Sequence, residues 1–454
     1  MTVRFLTSWN GYSAGDRATL AAATESTLIA GGIAWLDYSQ AGLIESLYLS
    51  RNPGSSLVRG FLGNCKSVAN GAEHTTAIQF ALESRARAIR FHVLNPIASA
   101  ITGCSMKFTF GGAASAAGSS GARAPADGAW KSALVGAAST FQLGEGVDEN
   151  DVSVTSTDIY DLSTVARTDT GMLPLGWVRF RVPAANANRP AWEYSGLTRW
   201  EDEAQCDGRI FRCLTQAVDG VTTLGNFNGS SVSNYECVPI IIETFTDVPT
   251  LNIAVFGNSI FEKAGSTGRL GWQDVVKHRI SSMAKPVEFA TFAIGGVASA
   301  VWLKRMQTIF ASPMRFDAAM FPAFDTNDVG APITNASIEA MSRRVRQAVD
   351  LCEQYGVLPM VCTGLPANPT GAFAKDYGAS DILRRIVNDN WRRNRRVILV
   401  DHAAAVEGVM DTDGQVPYAD GLSSDALHPN TAAHALLADV TETHARVLAG
   451  LNLV

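Results

Sequence analysis

The stretch LNIAVFGNSIFEKAG, residues 251–265, decides the fold of the second half of this chain. An apolar run that indicates a buried strand leads through Gly257 into a turn that carries Ser259. Glycine permits the sharp bend that such a turn needs. The hydroxyl of Ser259 is therefore predicted at the carboxyl end of a strand, which is where open parallel sheets bind their ligands.

Apolar strand patterns alternate with helical patterns from here to the C-terminus, which predicts a parallel sheet covered by helices on both faces. The five strand candidates are NIAVFG (252–257), VEFATFAI (287–294), AAMFPAF (318–324), LPMVCTG (358–364) and RVILVD (396–401). The clearest helix, with Gly356 as its C-terminal cap, carries one apolar stripe of Ile338, Met341, Val345, Val349 and Cys352. A last helix is predicted to begin at Pro429, because proline is favoured at the first helical position.

The motif SSDALHPN near the C-terminus supplies the partners that Ser259 would need. It places Asp425 three residues before His428, directly ahead of the last helix. A serine hydroxyl is a weak nucleophile until a base removes its proton. Histidine is that base near neutral pH, and a carboxylate orients it. The sequence therefore predicts a catalytic triad of Ser259, His428 and Asp425.

Glycines and an amide after the next two strands are candidates for an oxyanion hole. Gly295 and Gly296 follow the second strand, and Asn327 follows the third. The backbone N–H groups of Ser259 and Gly296, with the side-chain amide of Asn327, would give three donors to the developing negative charge.

These blocks resemble those of the SGNH hydrolases, also called GDSL esterases and lipases, over residues 250–454. The resemblance rests on VFGNSI, TFAIGGVAS, DTND and DALHPN, of which the last is the most specific. It implies a flavodoxin-like, three-layer α/β domain over 248–454. It also implies that Ser259 is both the nucleophile and an oxyanion donor, and that Gly296 and Asn327 are the two further donors. Asp425 and His428 would form the Asp-x-x-His dyad.

Three positions depart from the family pattern. Asn258 stands where an aspartate is usual before the nucleophile, and Asp325 stands where a glycine is usual in the third block. The first change is nearly isosteric, and the second is expected to bring a side chain and a charge to the rim of the site. Thr291 stands where asparagine is common, which leaves open whether the second-block donor is Gly295 or Gly296.

Other histidines compete for the role of the base. His402 follows the fifth strand and Asp401, but a packed or surface role is more common for such a residue. The remaining competitors lie within helical patterns or in the first half of the chain, at His278, His434, His74 and His92. His428 stays the predicted base.

The region 61–247 has a different pattern, with short apolar runs separated by Gly, Ser, Asn and Asp. This pattern predicts an accessory β-sandwich domain, jelly-roll-like in type. Its clearest strands are AIRFHVL (88–94), MKFTF (106–110), DVSVTST (151–157), GWVRFRV (176–182) and VPIIIETF (238–245). The small-residue segment 111–129 is predicted to be a mobile loop.

Residues 1–60 are predicted to be a helical attachment segment. Its apolar residues fall near helical spacing, although a glycine pair interrupts the pattern, at Leu20, Leu28, Ile29, Ile33 and Leu36. The stretch SWNGYSAGDRATLAAATESTLIAGGIAW resembles short modules of phage tail and other virion proteins, which suggests virion attachment or homo-oligomerisation. No signal peptide or membrane-spanning run is recognisable, so a virion-associated protein or release by lysis is expected.

Composition argues against several partners. The 454 residues carry a formal net charge of -6, and 46% of them are hydrophobic. The length predicts more than one domain, and no basic stripe offers a site for nucleic acid or an anionic membrane. Seven cysteines without the spacing of a zinc motif predict mostly buried thiols and no metal or cofactor, although Cys206 and Cys213 could pair.

A carbohydrate O-acetylesterase that acts on an acylated polysaccharide is the leading functional expectation, partly by analogy with enzymes that carry a sandwich domain. Crowding by Val297, Phe324 and Asp325 is expected to favour acetyl groups. Aromatic residues that could stack on sugars or pack in a core are Trp130, Trp177, Trp192, Tyr194 and Trp200. The alternatives are a lipid or thioester acylhydrolase of the same fold and an inactive, carbohydrate-binding virion protein.

Overall fold

The computed structural model describes nearly all of the C-terminal half and selected parts of the N-terminal half. The described residues are 2–5, 17–19, 34–36, 56–59, 65–80, 82, 86–110, 130–148, 150–165, 176–192, 212–217, 219, 221, 230–231, 237–246, 248–265, 271–282 and 285–450. The loop predicted at 111–129 lies outside them.

The first three strands form an antiparallel sheet with β1 in the centre. They are β1 (Thr2–Phe5), β2 (Arg17–Thr19) and β3 (Ala34–Leu36). The helix predicted across this segment is not found at its described residues, because pairing with β1 holds β2 and β3 in extended conformation. The rest of the predicted stripe lies outside the described residues, at Leu20, Leu28, Ile29 and Ile33.

Antiparallel sheets fill the region upstream of residue 250. One has the order β10-β8-β13-β6-β15-β16 with β9 beside β8, a second has the order β11-β7-β17-β4 with β12 beside β7, and β14 pairs with β5. The strands are β4 (Ser56–Arg59), β5 (Cys65–Ala69), β6 (His74–Phe80), β7 (Ala86–Asn95), β8 (Ile101–Phe110), β9 (Lys131–Ala133), β10 (Thr140–Leu143), β11 (Ser153–Ser156), β12 (Tyr160–Asp161), β13 (Gly176–Val182), β14 (Asn188–Trp192), β15 (Arg212–Gln216), β16 (Ser230–Ser231) and β17 (Ile240–Thr246).

The two larger sheets share one apolar cluster, which includes Phe91, Phe108, Phe180 and Ile242. The described strands overlap all five strands predicted here, and GWVRFRV coincides with β13. Strand β4, inside the predicted attachment segment, pairs with β17 and so extends the second sheet. The jelly-roll-like connectivity remains a prediction.

Five parallel strands form the central sheet of the C-terminal domain, in the order β19-β18-β20-β21-β22. They are β18 (Leu251–Val255), β19 (Val287–Thr291), β20 (Ala318–Pro322), β21 (Leu358–Cys362) and β22 (Ile398–Val400). In sequence order this is 2-1-3-4-5, the arrangement of flavodoxin-like sheets. The predicted α/β architecture is therefore found. The first four strands end two or three residues before the predicted apolar runs do, and the fifth ends one residue before.

Helices cover both faces of this sheet. They are α1 (Trp272–Ile280), α2 (Ser299–Ala311), α3 (Asn335–Gln354), α4 (Asp381–Arg392), α5 (His402–Val406) and α6 (Thr431–Leu448). Trp272 of α1 and Leu437 of α6 belong to the apolar cluster on one face, whereas Trp302 of α2, Val345 of α3 and Trp391 of α4 belong to the cluster on the other.

Two helix predictions can be compared directly with the structure. The stripe on α3 is confirmed, because Met341, Val345, Val349 and Cys352 are buried and Gly356 has the positive φ of a C-terminal cap. The start of α6 is two residues later than predicted. The side chain of Asn430 accepts a hydrogen bond from the backbone N–H of Ala433 at 3.1 Å and caps the helix, which places Pro429 before it.

The outer side of the second upstream sheet packs against α2. Leu94 and Ile241 belong to the same apolar cluster as Phe310. An ion pair between Asp151 and Lys304, 2.9 Å long, lies at the edge of this contact. The described upstream sheets are thus joined to the C-terminal domain by a packed interface.

Four cysteines are buried thiols, as predicted for most of them: Cys65, Cys104, Cys352 and Cys362. Cys237 differs, because it is disulfide-bonded. Cys206 lies outside the described residues, so its suggested pairing with Cys213 is not described. No helix in the described ranges is long and apolar enough to cross a bilayer.

Candidate active site

The nucleophile turn follows β18 directly. Gly257 has a φ of 146°, and a side chain there would come within 2.7 Å of the ring of Phe261. Only glycine fits this conformation and this space. The Oδ1 atom of Asn258 accepts a hydrogen bond from the backbone N–H of Ile260 at 3.0 Å and fixes the turn. Ser259 is half-buried at the carboxyl edge of the sheet.

The structure brings the three predicted triad residues together. The Oγ of Ser259 lies 2.9 Å from Nε2 of His428, and Nδ1 of His428 lies 2.6 Å from Oδ2 of Asp425. These are hydrogen-bond distances on opposite ring nitrogens, so His428 can accept the serine proton at Nε2 while it donates from Nδ1 to the carboxylate.

The carboxylate of Asp425 is held by the loop that carries it. Its Oδ1 accepts hydrogen bonds from the backbone N–H groups of Leu427 at 3.0 Å and His428 at 2.7 Å. Burial raises the pKa of Asp425, but the hydrogen bonds from His428 and Leu427 outweigh it and keep the pKa below its ordinary value. Asp425 is therefore ionised at neutral pH and can stabilise a protonated His428.

The candidate oxyanion donors lie on the two neighbouring strand ends. Gly296, past the end of β19, is exposed and has a φ of 76°, which glycine adopts without strain. The side-chain amide of Asn327 donates to the carbonyl of Val297 at 2.9 Å. This bond uses one of the two amide hydrogens and fixes the direction of the other.

A buried carboxylate, Asp325, connects these parts. Its Oδ1 accepts hydrogen bonds from the side chain of Asn258 at 2.8 Å and from the backbone N–H of Asn327 at 2.9 Å. Its Oδ2 accepts from Nε1 of Trp302 on α2 at 2.9 Å. One side chain thus links the nucleophile turn, the third block and the neighbouring helix.

The prediction that Asp325 lies at the rim of the site is wrong. The residue is fully buried because its three donors lie inside the domain. Burial raises the pKa of Asp325 to about 6, although the hydrogen bonds from Asn258, Asn327 and Trp302 act in the opposite direction. Phe324 is buried as well, so neither side chain lines an open acyl pocket, and of the three crowding residues only Val297 is partly exposed.

Two competing histidines are buried structural residues. Nε2 of His402 lies 2.8 Å from Oγ1 of Thr441, and burial lowers the pKa of His402 to about 3. His434 accepts a hydrogen bond from the backbone N–H of Trp272 at 3.2 Å, and burial lowers its pKa to about 4. Both are therefore neutral at pH 7 and packed into the domain.

His92 occupies a polar network of the second upstream sheet. Its ring nitrogens lie 2.8 Å from Oγ of Ser156 and 3.0 Å from Oε2 of Glu243, which also accepts from Arg90. Arg90 in turn donates to the carbonyl of Pro313 just after α2. This network belongs to the interface between the sheet and α2.

One exposed aromatic residue beside the triad was not predicted from the sequence. The ring of Phe373 lies 5.5 Å from that of His428 between centroids, with the planes at 76°. The side chain is 56% exposed. It lies in the segment between β21 and α4, which no motif marks, so only the tertiary structure identifies it.

The predicted sugar-stacking aromatics have different environments. Trp177 is fully buried and cannot contact a polysaccharide. The ring of Trp130 is covered by the guanidinium of Arg179 at 4.7 Å. The side chain of Trp192, and all of Tyr194 and Trp200, lie outside the described residues.

A half-buried serine, a histidine and an aspartate in this geometry have the arrangement of the triad of serine hydrolases. Residues 255–436 match the family model of the GDSL-like Lipase/Acylhydrolase family. Over these residues the C-terminal region is therefore similar to the GDSL-like acylhydrolases, and its fold is α/β.

Several solved structures are similar to this region. A lipolytic protein of the G-D-S-L family from Veillonella parvula is 16% identical and covers 42% of this chain and 94% of its own, with a TM-score of 0.32. TesA is 18% identical, and the match covers 44% of this chain and 99% of TesA, with a TM-score of 0.32. The psychrotrophic esterase EstA from Pseudoalteromonas sp. is 14% identical, and the match covers 43% of this chain and 96% of EstA, with a TM-score of 0.31. No curated protein matches the sequence.

Groups of three or more metal-binding side chains are not found among the residues that the structure describes.

Proposed function

We propose that this protein is a carbohydrate O-acetylesterase that removes acetyl groups from a polysaccharide. The observation that carries the proposal is the pair of hydrogen bonds from Ser259 to His428 and from His428 to Asp425. The exposed ring of Phe373 beside His428 and the upstream sheets support a sugar ester as substrate.

The first half of the reaction forms an acyl-enzyme. Nε2 of His428 takes the hydroxyl proton while Oγ of Ser259 attacks the ester carbonyl carbon, and the carbonyl oxygen becomes an oxyanion. The N–H groups of Ser259 and Gly296 and the amide of Asn327 donate to this oxyanion. The bond between the carbonyl carbon and the sugar oxygen then breaks, and the proton passes from His428 to that oxygen.

The second half releases acetate. A water molecule gives its proton to His428 and attacks the acetyl carbon, and the bond to Oγ of Ser259 breaks as His428 returns the proton. Ionised Asp425 stabilises the positive ring of His428 in both halves. Loss of one oxyanion donor costs such enzymes about 100-fold to 1000-fold in rate.

The exposed aromatic ring at the site favours a ring-shaped alcohol over a long acyl chain. Among the described residues, Phe373 is the exposed aromatic side chain that contacts the triad, and it lies against His428. His428 protonates the alcohol oxygen, so this side of the site belongs to the leaving group. The two upstream sheets, proposed to be a jelly-roll-like accessory domain, would extend the contact with a polysaccharide.

A chain-length series of p-nitrophenyl esters tests the acyl preference, together with measurement of the acetate released from an acetylated polysaccharide. We expect the highest kcat/KM for acetate and a fall toward octanoate. Each methylene that fits an apolar pocket contributes on the order of 1 kcal/mol, so rates that rise with chain length would instead identify a lipid acylhydrolase.

Labelling by a fluorophosphonate tests the alternative of an inactive binding protein. An active serine should react with one equivalent of the reagent, and the Ser259→Ala variant should not react. No labelling and no turnover of any ester by the unaltered protein would contradict the enzymatic proposal.

A further inference from the structure

We propose that Phe373 forms one wall of an alcohol-side subsite that binds a ring-shaped leaving group, either a sugar ring or an aryl group. This inference rests on the proposed roles of Ser259 and His428. It adds a binding residue that lies outside all four sequence blocks.

The direction of proton transfer places the leaving group beside His428. Nε2 must come within hydrogen-bond distance of the alcohol oxygen to protonate it, because a general acid acts at about 2.6 to 3.2 Å. The alcohol therefore lies next to the ring of His428. The ring of Phe373 is 5.5 Å from that ring and is 56% exposed, so part of its surface is open to a second ring.

The loop that carries Phe373 is tied to the loop that carries Asp425. The backbone N–H of Phe373 donates to the carbonyl of Asp425 at 2.8 Å, and the N–H of Asn368 donates to the carbonyl of Ala426 at 2.8 Å. Gly371 has a φ of 135°, and a side chain there would come within 2.6 Å of the Cβ of Ala426. The position of Phe373 relative to the triad is therefore fixed by backbone contacts.

Gln415, which is fully buried, holds both ends of this loop. Its Nε2 donates to the carbonyls of Ala367 at 2.6 Å and Lys375 at 3.0 Å. Its Oε1 accepts from the backbone N–H groups of Tyr377 at 2.7 Å and Gly378 at 3.0 Å. All hydrogen-bonding groups of this amide face the loop, which is a strong constraint for an exposed segment.

An exposed apolar ring on a constrained loop has the properties of a preformed binding surface. A single exposed hydrophobic residue is common on proteins and needs no function. Phe373 differs because hydrogen bonds to the Asp425 loop and to Gln415 hold its loop in place, and such a constraint lowers the entropic cost of contact. Aromatic faces add to the free energy of such contacts beyond the area that they bury.

The test keeps the acyl group constant and varies the alcohol. The substrates are ethyl acetate, p-nitrophenyl acetate and a fully acetylated methyl glycoside, and the variants are Phe373→Ala and Phe373→Trp. The control is Tyr355→Ala, which removes a similarly exposed aromatic side chain just before β21. Tyr355 lies at the amino ends of the strands, whereas the triad lies at their carboxyl ends.

In Phe373→Ala we expect the ratio of kcat/KM for the glycoside to kcat/KM for ethyl acetate to fall about tenfold, mostly through KM, since an aromatic contact of about 1.4 kcal/mol corresponds to that factor. Phe373→Trp should keep the ratio, and so should Tyr355→Ala. The ratio for p-nitrophenyl acetate should fall in the same direction as that for the glycoside.

The outcomes separate the two proposals. If the unaltered protein hydrolyses all three esters but the ratio is unchanged in Phe373→Ala, the subsite is refuted and the esterase proposal stands. An equal loss on all three esters also refutes the subsite, because Phe373 would then act only through His428. If the unaltered protein hydrolyses none of the esters, both proposals fail.

Discussion

The side-chain amide of Asn258 donates a 2.8 Å hydrogen bond to the buried carboxylate of Asp325. These are two of the three positions at which the chain departs from the SGNH pattern, so the departures are in direct contact. A carboxylate stands in the third block and an amide in the nucleophile turn. Two carboxylates in contact would repel each other, whereas an amide opposite an acid supplies the hydrogen bond that a buried carboxylate needs.

At pH 7, Asp325→Asn should lower kcat roughly tenfold and lower the free energy of unfolding by about 1 to 3 kcal/mol. The carboxylate accepts three hydrogen bonds, whereas an amide would point an N–H group at one of the donors. Urea unfolding and p-nitrophenyl acetate kinetics measure both effects. Trp302→Phe is the matched control, because it removes one donor but leaves those of Asn258 and Asn327; its kcat should fall less. An unaltered kcat in Asp325→Asn would contradict a positioning role.

Asn258→Asp should reduce activity at neutral pH more than a nearly isosteric change normally would. The new carboxylate would face Asp325 at hydrogen-bond distance, and one of the pair would have to hold a proton. The double variant Asn258→Asp/Asp325→Asn restores one acid opposite one amide and should recover part of the lost kcat. A double variant as impaired as the sum of the single variants would show that the two residues are not coupled.

The buried acid also predicts how stability depends on pH. The pKa of Asp325 is raised from 3.8 to about 6, so the folded protein binds more protons than the unfolded chain between these values. Stability must therefore fall as pH rises from about 4 to 6, by about 3 kcal/mol from this group alone, and stay level above. Asp325→Asn lacks the titrating group. In urea unfolding, the free energy of unfolding of Asp325→Asn minus that of the unaltered protein should therefore rise by about 3 kcal/mol as the pH rises from about 4 to 6. A difference that does not change with pH would contradict the raised pKa of Asp325.

The triad variants should differ in degree. Ser259→Ala should abolish ester hydrolysis and leave Tm nearly unchanged, because a half-buried hydroxyl contributes little to stability. His428→Ala should be equally inactive. Asp425→Asn should lose about 10⁴-fold in kcat but keep measurable activity, since the carboxylate orients the base and does not transfer the proton.

His402→Ala should lose stability and keep activity. An inactive His402→Ala variant of unaltered stability would mean that the base is wrongly assigned.

Local patterns predicted the elements of the C-terminal domain. The strand, turn and Gly257 before Ser259, and the apolar stripe of α3, are properties of neighbouring residues, and the structure shows both. The spacing of Asp425 and His428 is local as well. Local spacing failed in the first 60 residues, where β2 and β3 are set by pairing with β1 and not by helical periodicity.

The sequence by itself determined the alternation of strands and helices and the order of the blocks, because periodicity and turn residues act over a few positions. It also predicted the residues that would bear the chemistry. Tertiary structure alone decided that Asn258 meets Asp325, 67 residues away, and that Asp325 is buried. It also placed Phe373 against His428. These contacts depend on how loops from separate strands meet at one edge of the sheet, which no local pattern specifies.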